Sequence, residues 1–280
     1  GAVGEAEKGA VVSSLEPLLA LHKSRAQARL SDSANAVFSN KGVGPQPAEV
    51  SSFTKGILAV AQAGRGHDAG LALALAGIVD KVVKSFIAQG REMIPNPSDP
   101  EMRAIIGVPT GAQTRCFAVF NAAVHVQATV KGLEASSIKS GSKGASRAFA
   151  DLSDGCHALA TDIIQPFVTS MEASVGASIS GIHAADQDSA GGGAGEEDFE
   201  ECSSYMSIAS RSIETFLSKY SAKMSPCDIL SQAKASIAEH LLRVFVRHAF
   251  LVRPLTEMGK MRLIRDVTKL EEVAGGGGAP

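Results

Sequence analysis

The chain of 280 residues has no tryptophan, two tyrosines and eleven phenylalanines. With Val, Ile and Thr also sparse beside Ala and Leu, this composition disfavours sheet and favours helix. No charge of one sign dominates: 27 Lys and Arg stand against 29 Asp and Glu, for a net charge of −2. A chain that binds nucleic acid through overall positive charge is thereby excluded. Long apolar runs are missing. The longest uncharged one, Ala69 to Val79, is about half of the roughly 20 residues a bilayer needs, and Arg243, Arg247 and His248 interrupt the stretch from Leu241 to Val252. The four cysteines, Cys116, Cys156, Cys202 and Cys227, form no CxxC pair. They read as small buried hydrophobes of a cytosolic protein rather than as ligands or disulfides. The one Asn-x-Ser sequence, at Asn96, is spoiled by Pro97.

What is present is apolar enough for a packed core and patterned for helices. Hydrophobic residues make up 45% of the chain and charged residues 20%, far from disordered composition. Leu15, Leu18, Leu19, His22, Ala26 and Leu30 recur at helical spacing, with Pro17 early enough to sit in a first turn. Further helices are predicted over 48–63, 69–89 (ended by Gly90), 112–135, 145–183 (bent or divided at Pro166), 205–224, 227–252 and 260–273. Pro254 stops the penultimate helix and Gly259 marks the following turn. Residues 95–111, with four prolines and two glycines, read as a long loop, and 136–146 as a flexible linker. The expected organisation is all-α: a helical bundle region over 1–184, a flexible Gly- and acid-rich linker over 185–201, a helical hairpin region over 202–273 and a disordered tail over 274–280. Gly1 and the final GGGGAP suggest a piece of a longer protein.

A search for chemistry returns little. Gly64, Gly66 and Gly70 lack the spacing and the Lys-Ser/Thr of a phosphate loop, so a turn between helices is the better reading. Gly176 and Gly181 bracket a serine one residue off the GxSxG pattern, inside a helical stretch. None of the seven histidines makes an HxxxH or HExxH pair, and Cys156 and His157 point apart on a helix. No catalytic, cofactor or metal residues are expected.

One stretch departs from the average. Between Leu241 and Leu270, seven basic residues stand against Glu257 and Asp266, a local charge of +5. These charges could ring a helical hairpin with their stems on apolar surface, or form an electropositive face for an acidic partner, an anionic membrane or nucleic acid. Arg243 and Arg247, four residues apart, share one helix face.

This same stretch carries a resemblance. Residues 244–273, VFVRHAFLVRPLTEMGKMRLIRDVTKLEEV, resemble the family of the fifth subunit of the conserved oligomeric Golgi complex. The likeness rests on Arg247-His248, Leu251, Arg253-Pro254-Leu255, Glu257, Gly259-Lys260, Arg262-Leu263, Asp266 and Glu271, and upstream on Ser203-Ser204-Tyr205-Met206. It extends over about 163–274 and is compatible in helix order with 10–160. Phe250 stands where the family more often has a small residue, and the family's chain continues beyond Ala274.

The resemblance implies an elongated stack of helical bundles, as in multisubunit vesicle-tethering complexes, with no catalytic residue and no cofactor. It implies a role in intra-Golgi retrograde vesicle transport, and so in Golgi organisation and glycosylation. The partners implied are the other subunits of the complex, chiefly the seventh, with trafficking proteins as further candidates. Membrane association would be peripheral, through the complex, on the cytosolic face of the Golgi, without nucleic acid. Arg243, Arg247, His248 and Arg253 are the candidate partner interface. Pro254, Glu257, Gly259, Lys260, Arg262 and Asp266 are expected to build the turn, with Glu257 and Asp266 paired to Lys260, Arg262 or Arg253. The reading from another class is a helical module whose basic hairpin binds anionic membrane or nucleic acid directly.

Overall fold

A computed structural model describes residues 2–40, 42–64, 69–96, 99–105, 107–183, 202–252 and 257–275. All regular structure among them is helical. In chain order the helices are α1 (Ala2–Val37), α2 (Pro47–Ala63), α3 (Ala69–Met93), α4 (Pro100–Arg103), α5 (Gly111–Lys139), α6 (Lys143–Ile179), α7 (Ser204–Thr215), α8 (Asp228–Leu251) and α9 (Glu257–Gly275). A π-helical turn (Phe216–Tyr220) and a 3₁₀ turn (Ser221–Lys223) extend α7. The sequence periodicity located α2, α3 and α5 to α9 to within a few residues, through their apolar stripes, whereas α4 lies in the stretch expected as loop. The expected linker over 185–201 lies outside the described residues.

The structure lengthens several elements. Pro17 lies well inside α1 rather than in a first turn, and toward the end of α1 Leu30, Ala34 and Val37 are buried. The region 136–146, read as a linker, is helix to Lys139, then a tight turn at Gly141 (φ 74°), then helix from Lys143. Its serines satisfy their hydroxyls on the helix itself, Ser136 Oγ donating to the carbonyl of Gly132. Helix α6 is neither ended nor divided at Pro166. Ile163, Ile164, Phe167 and Val168 around it are all buried, and that packing outweighs the roughly 3 kcal/mol that an interior proline costs. Within the expected loop 95–111, Asp99 caps the single turn α4 by accepting from the Glu101 N–H at 3.0 Å. The fully buried Gln113 ties the loop together, its Nε2 donating to the carbonyls of Glu101 (3.0 Å) and Ala104 (2.9 Å).

The chain divides into two compact units: 1–94 with 114–161, and 95–113 with 162–280. By packing, the division falls inside α6. In the first unit Phe86 of α3 lies 5.1 Å from the ring of Phe38 and 5.4 Å from that of Phe53, all three buried. Leu152, Cys156 and Leu159 of α6 and the Cys116–Val130 stripe of α5 are buried in the same unit.

Gly90, expected to end α3, sits inside it for a different reason. A Cβ there would stand 2.9 Å from Cδ2 of the fully buried Leu159, and one on Gly155 would stand 2.9 Å from Cδ1 of Ile87. The two glycines therefore let α3 and α6 approach closely from both sides. Gly64 serves likewise where α2 ends: its Cβ would meet the Ala72 backbone at 2.9 Å, so this glycine belongs to a turn between helices. In the second unit the Tyr220 ring lies 6.2 Å from that of Phe167 on α6 and 6.4 Å from that of Phe216, and Met171, Val175, Ile237 and Leu241 are also buried.

Overpacking this crossing gives the first expected outcome. Gly90→Leu should lower stability by about 1–3 kcal/mol, read as a shift in the urea midpoint, whereas Gly77→Leu, with open space around its Cα, should not. Equal midpoints for the two variants would mean that α3 and α6 do not meet at Gly90.

Candidate partner-binding surface

Helices α7, α8 and α9 of the second unit carry every described residue of the expected interface and turn. Arg243 is exposed on α8, its guanidinium 2.5 Å from the Glu239 carboxylate one turn earlier. Arg247 is exposed one turn further on, and His248 beside it is half-buried. His248 Nδ1 lies 2.9 Å from Nε2 of His183, just beyond α6, with ring centroids 5.1 Å apart. Arg253 and Pro254 lie outside the described residues.

Helix α9 begins three residues earlier than expected, so Gly259 lies within its first turn instead of before it. Glu257 pairs with Lys260 at 2.6 Å on the helix surface, an exposed contact worth a few tenths of a kcal/mol. Arg262 is half-buried. Asp266 behaves differently from the expected pairing. It is fully buried, and its carboxylate accepts from the Ser203 backbone N–H (2.9 Å), the Ser203 hydroxyl (2.8 Å) and the Tyr205 hydroxyl. Ser203 is the residue before α7, so one carboxylate on α9 satisfies backbone and side-chain donors where α7 starts. Burial, then the hydrogen bond to Asp266 and its charge, hold the Tyr205 phenol far above its ordinary value, which keeps it a donor.

A small apolar groove runs between these helices, lined by Ile213, Phe216, Leu217, Ile237, Ala238, Leu241 and Val273, with Lys234 on its wall. Among the described residues that line it, Lys234 alone is ionisable and the others offer apolar surface. Among the described residues no three His, Cys, Asp or Glu side chains converge as metal ligands. Burial pushes the thiol of Cys116 up to about 11 and that of Cys156 up to about 12, so neither is a nucleophile at neutral pH. Cys202 and Cys227 are half-buried and not in a disulfide. No helix among the described residues is long and apolar enough to cross a membrane.

Sequence reasoning named Tyr205 and Asp266 but not their contact, which joins positions 61 residues apart. It also missed His183 as the neighbour of His248. The signal for the first was there: Ser203 and Tyr205 lie in one matched segment and Asp266 in the other.

Among the described residues the fold is all-α, built of packed long helices without strands. It superposes on the crystal structure of the C-terminal domain of the exocyst subunit Sec6p with a TM-score of 0.58, covering 94% of this chain and 69% of that one. At 9% identity that likeness is one of fold. No family model matches the chain.

The sequence is similar to the Conserved oligomeric Golgi complex subunit 5 of mouse, with 29% identity over 267 residues, covering 95% of this chain and 32% of the relative. The subunit of the same name from Arabidopsis thaliana is 27% identical over 88% of this chain and 30% of its own length. That of Dictyostelium discoideum matches over 73 residues at 29%, 26% of this chain and 8% of the relative. The resemblance first seen near the C-terminus thus extends over almost the whole chain, including the half where only helix order had matched. The chain spans about a third of the length of the mouse and plant relatives it matches.

Two outcomes follow from this geometry. Asp266→Ala strands the buried Tyr205 hydroxyl and two part-buried donors of Ser203 and should cost about 2–4 kcal/mol, with amide exchange rising first in α9 and at the start of α7. Unchanged protection there would show that the Asp266 contact does not hold α9 in place. The second concerns pH. Burial, then His183 and Arg247, hold His248 below its ordinary 6.5, so the unfolded chain takes up this proton first as pH falls. Stability from this site is intact above that value and declines below it. The urea midpoint of the protein should fall between about pH 7.5 and about pH 5.5, with a shallower fall in His248→Asn; identical slopes would sink the assignment.

Proposed function

We propose that this chain is a segment of a non-enzymatic scaffold subunit of a Golgi vesicle-tethering complex, working by binding other subunits of that complex. The observation that carries the reading is its similarity, over 95% of its length, to the mouse Conserved oligomeric Golgi complex subunit 5. The fold of the exocyst subunit domain supports the same class. Long helices suit the task, since a 37-residue helix such as α6 spans about 55 Å and few elements bridge a large distance. In this reading the chain serves intra-Golgi retrograde transport, and through it Golgi organisation and glycosylation. It sits peripherally on the cytosolic face of the Golgi, with the seventh subunit as its chief partner and no nucleic acid bound.

The test is co-purification of the tagged 280-residue chain with the seventh subunit at low and high salt. A stoichiometric complex that survives high salt is the expected result. A cooperatively folded helical chain that recovers no partner at either salt would count against a subunit-binding surface within these residues.

A further inference from the structure

Within the second unit, α6 and α8 run side by side in the same direction. Ser236 Oγ donates to the Glu172 carboxylate at 3.0 Å, and a Cβ on Gly176 would stand 3.8 Å from Nε2 of His240. Further along both segments His183, just beyond α6, meets His248. The members of each pair are 64 or 65 residues apart, so one register holds along the whole contact.

Apolar anchoring of α8 runs out where the two histidines meet. Ile237, Leu241 and Phe245 are buried, but no side chain from Val246 to Leu251 is. On the other side Ile179 and Ile182 are buried and His183 is exposed. The imidazole pair ties the two segments together just where α8 has passed its last buried side chain.

The geometry of the pair fixes its chemistry. His183 Nε2 and His248 Nδ1 are 2.9 Å apart and the ring centroids 5.1 Å apart, so the rings meet tip to tip. Nitrogen faces nitrogen along a hydrogen bond, instead of two lone pairs converging on a metal position. One facing nitrogen must carry a proton and the other a lone pair. Two neutral rings meet that condition. One imidazolium with one neutral ring also meets it, and the bond is then charge-assisted. Two imidazolium rings cannot, because both facing nitrogens are then donors and two cations stand together. Among the described residues the charged or titratable groups facing His248 are His183, from beyond α6, and Arg247, on α8 itself. Neither supplies a negative charge that would offset a second proton.

We propose that His183 and His248 form a proton-operated latch, closed on the tip of α8 while the pair holds at most one extra proton and open when both rings are charged. The open pair binds more protons than the closed one, so opening grows as pH falls. Ile237, Leu241 and Phe245 keep the rest of α8 seated, so mild acid loosens the tip without unfolding the unit.

Amide exchange of the 280-residue chain, corrected for the intrinsic effect of pH, tests this at about pH 7.5 and about pH 5.5. In the unaltered chain, protection over 246–251 should fall about fivefold on acidification while 229–241 changes by less than about twofold. His183→Gln offers both an N–H and a carbonyl, so it can pair with either form of His248 and should keep the tip protected at both pH values. His183→Leu can pair with neither, and should leave the tip about fivefold less protected at both. His183 is exposed, and an unchanged helical circular dichroism spectrum at the higher pH confirms that the variants fold. The proposal is overturned by acid loosening in His183→Gln equal to that of the unaltered chain, or by loss of protection spread evenly along α8. A tip in His183→Leu as protected at the higher pH as in the unaltered chain overturns it as well.

Discussion

Everything described in this chain is organised around one unbroken apolar stripe on α6. Phe149, Leu152, Cys156, Leu159, Ile163, Phe167, Met171, Val175 and Ile179 follow one another at steps of three or four, and all are buried. The first four serve the core of one compact unit and the rest serve the core of the other. A proline in the middle would normally end such a helix, because it lacks the N–H and crowds the preceding turn. It does not do so here because apolar contacts on both sides of Pro166 reward the helical path by more than the proline costs. The tertiary core decides where the helix ends, and local propensity is overruled.

Close approach to that stripe then dictates where glycine is needed. Gly90 on α3 meets Leu159, and Gly155 on α6 itself meets Ile87, so two helices pack with almost no side chain between their backbones at those points. Elsewhere the second unit relies on polar fastening. The buried carboxylate of Asp266 gathers donors from Ser203 and Tyr205 and so ties the last helix to the start of α7. A buried acid is tolerable only when fully satisfied, and three donors meet that condition. The apolar groove lies on the helices that this fastening holds.

The similarity to the fifth subunit of the conserved oligomeric Golgi complex and the helical likeness to an exocyst subunit domain agree with this construction. This chain combines an extensive apolar core among its described residues with two buried thiols, Cys116 and Cys156, that burial holds well above the ordinary thiol range. On the outside, α8 and α9 mix Arg with exposed Phe, Leu, Met and Ile.

The sequence alone determined the helical class, the approximate place of most helices, and the family resemblance. Helical periodicity and matched motifs are local properties, legible without knowing what touches what. It misjudged 136–146 and Gly90 because serine, lysine and glycine read as linker or stop when their neighbours in space are unknown. It gave Asp266 the partners Lys260, Arg262 or Arg253 because its sequence neighbours are basic. Only the tertiary structure could show that its partners come from 61 and 63 residues away. The division into units inside α6, the glycine-mediated crossing with α3 and the exposure of Phe250 were decided in the same way. Each depends on which faces meet, a property of three-dimensional packing that no spacing along one chain encodes.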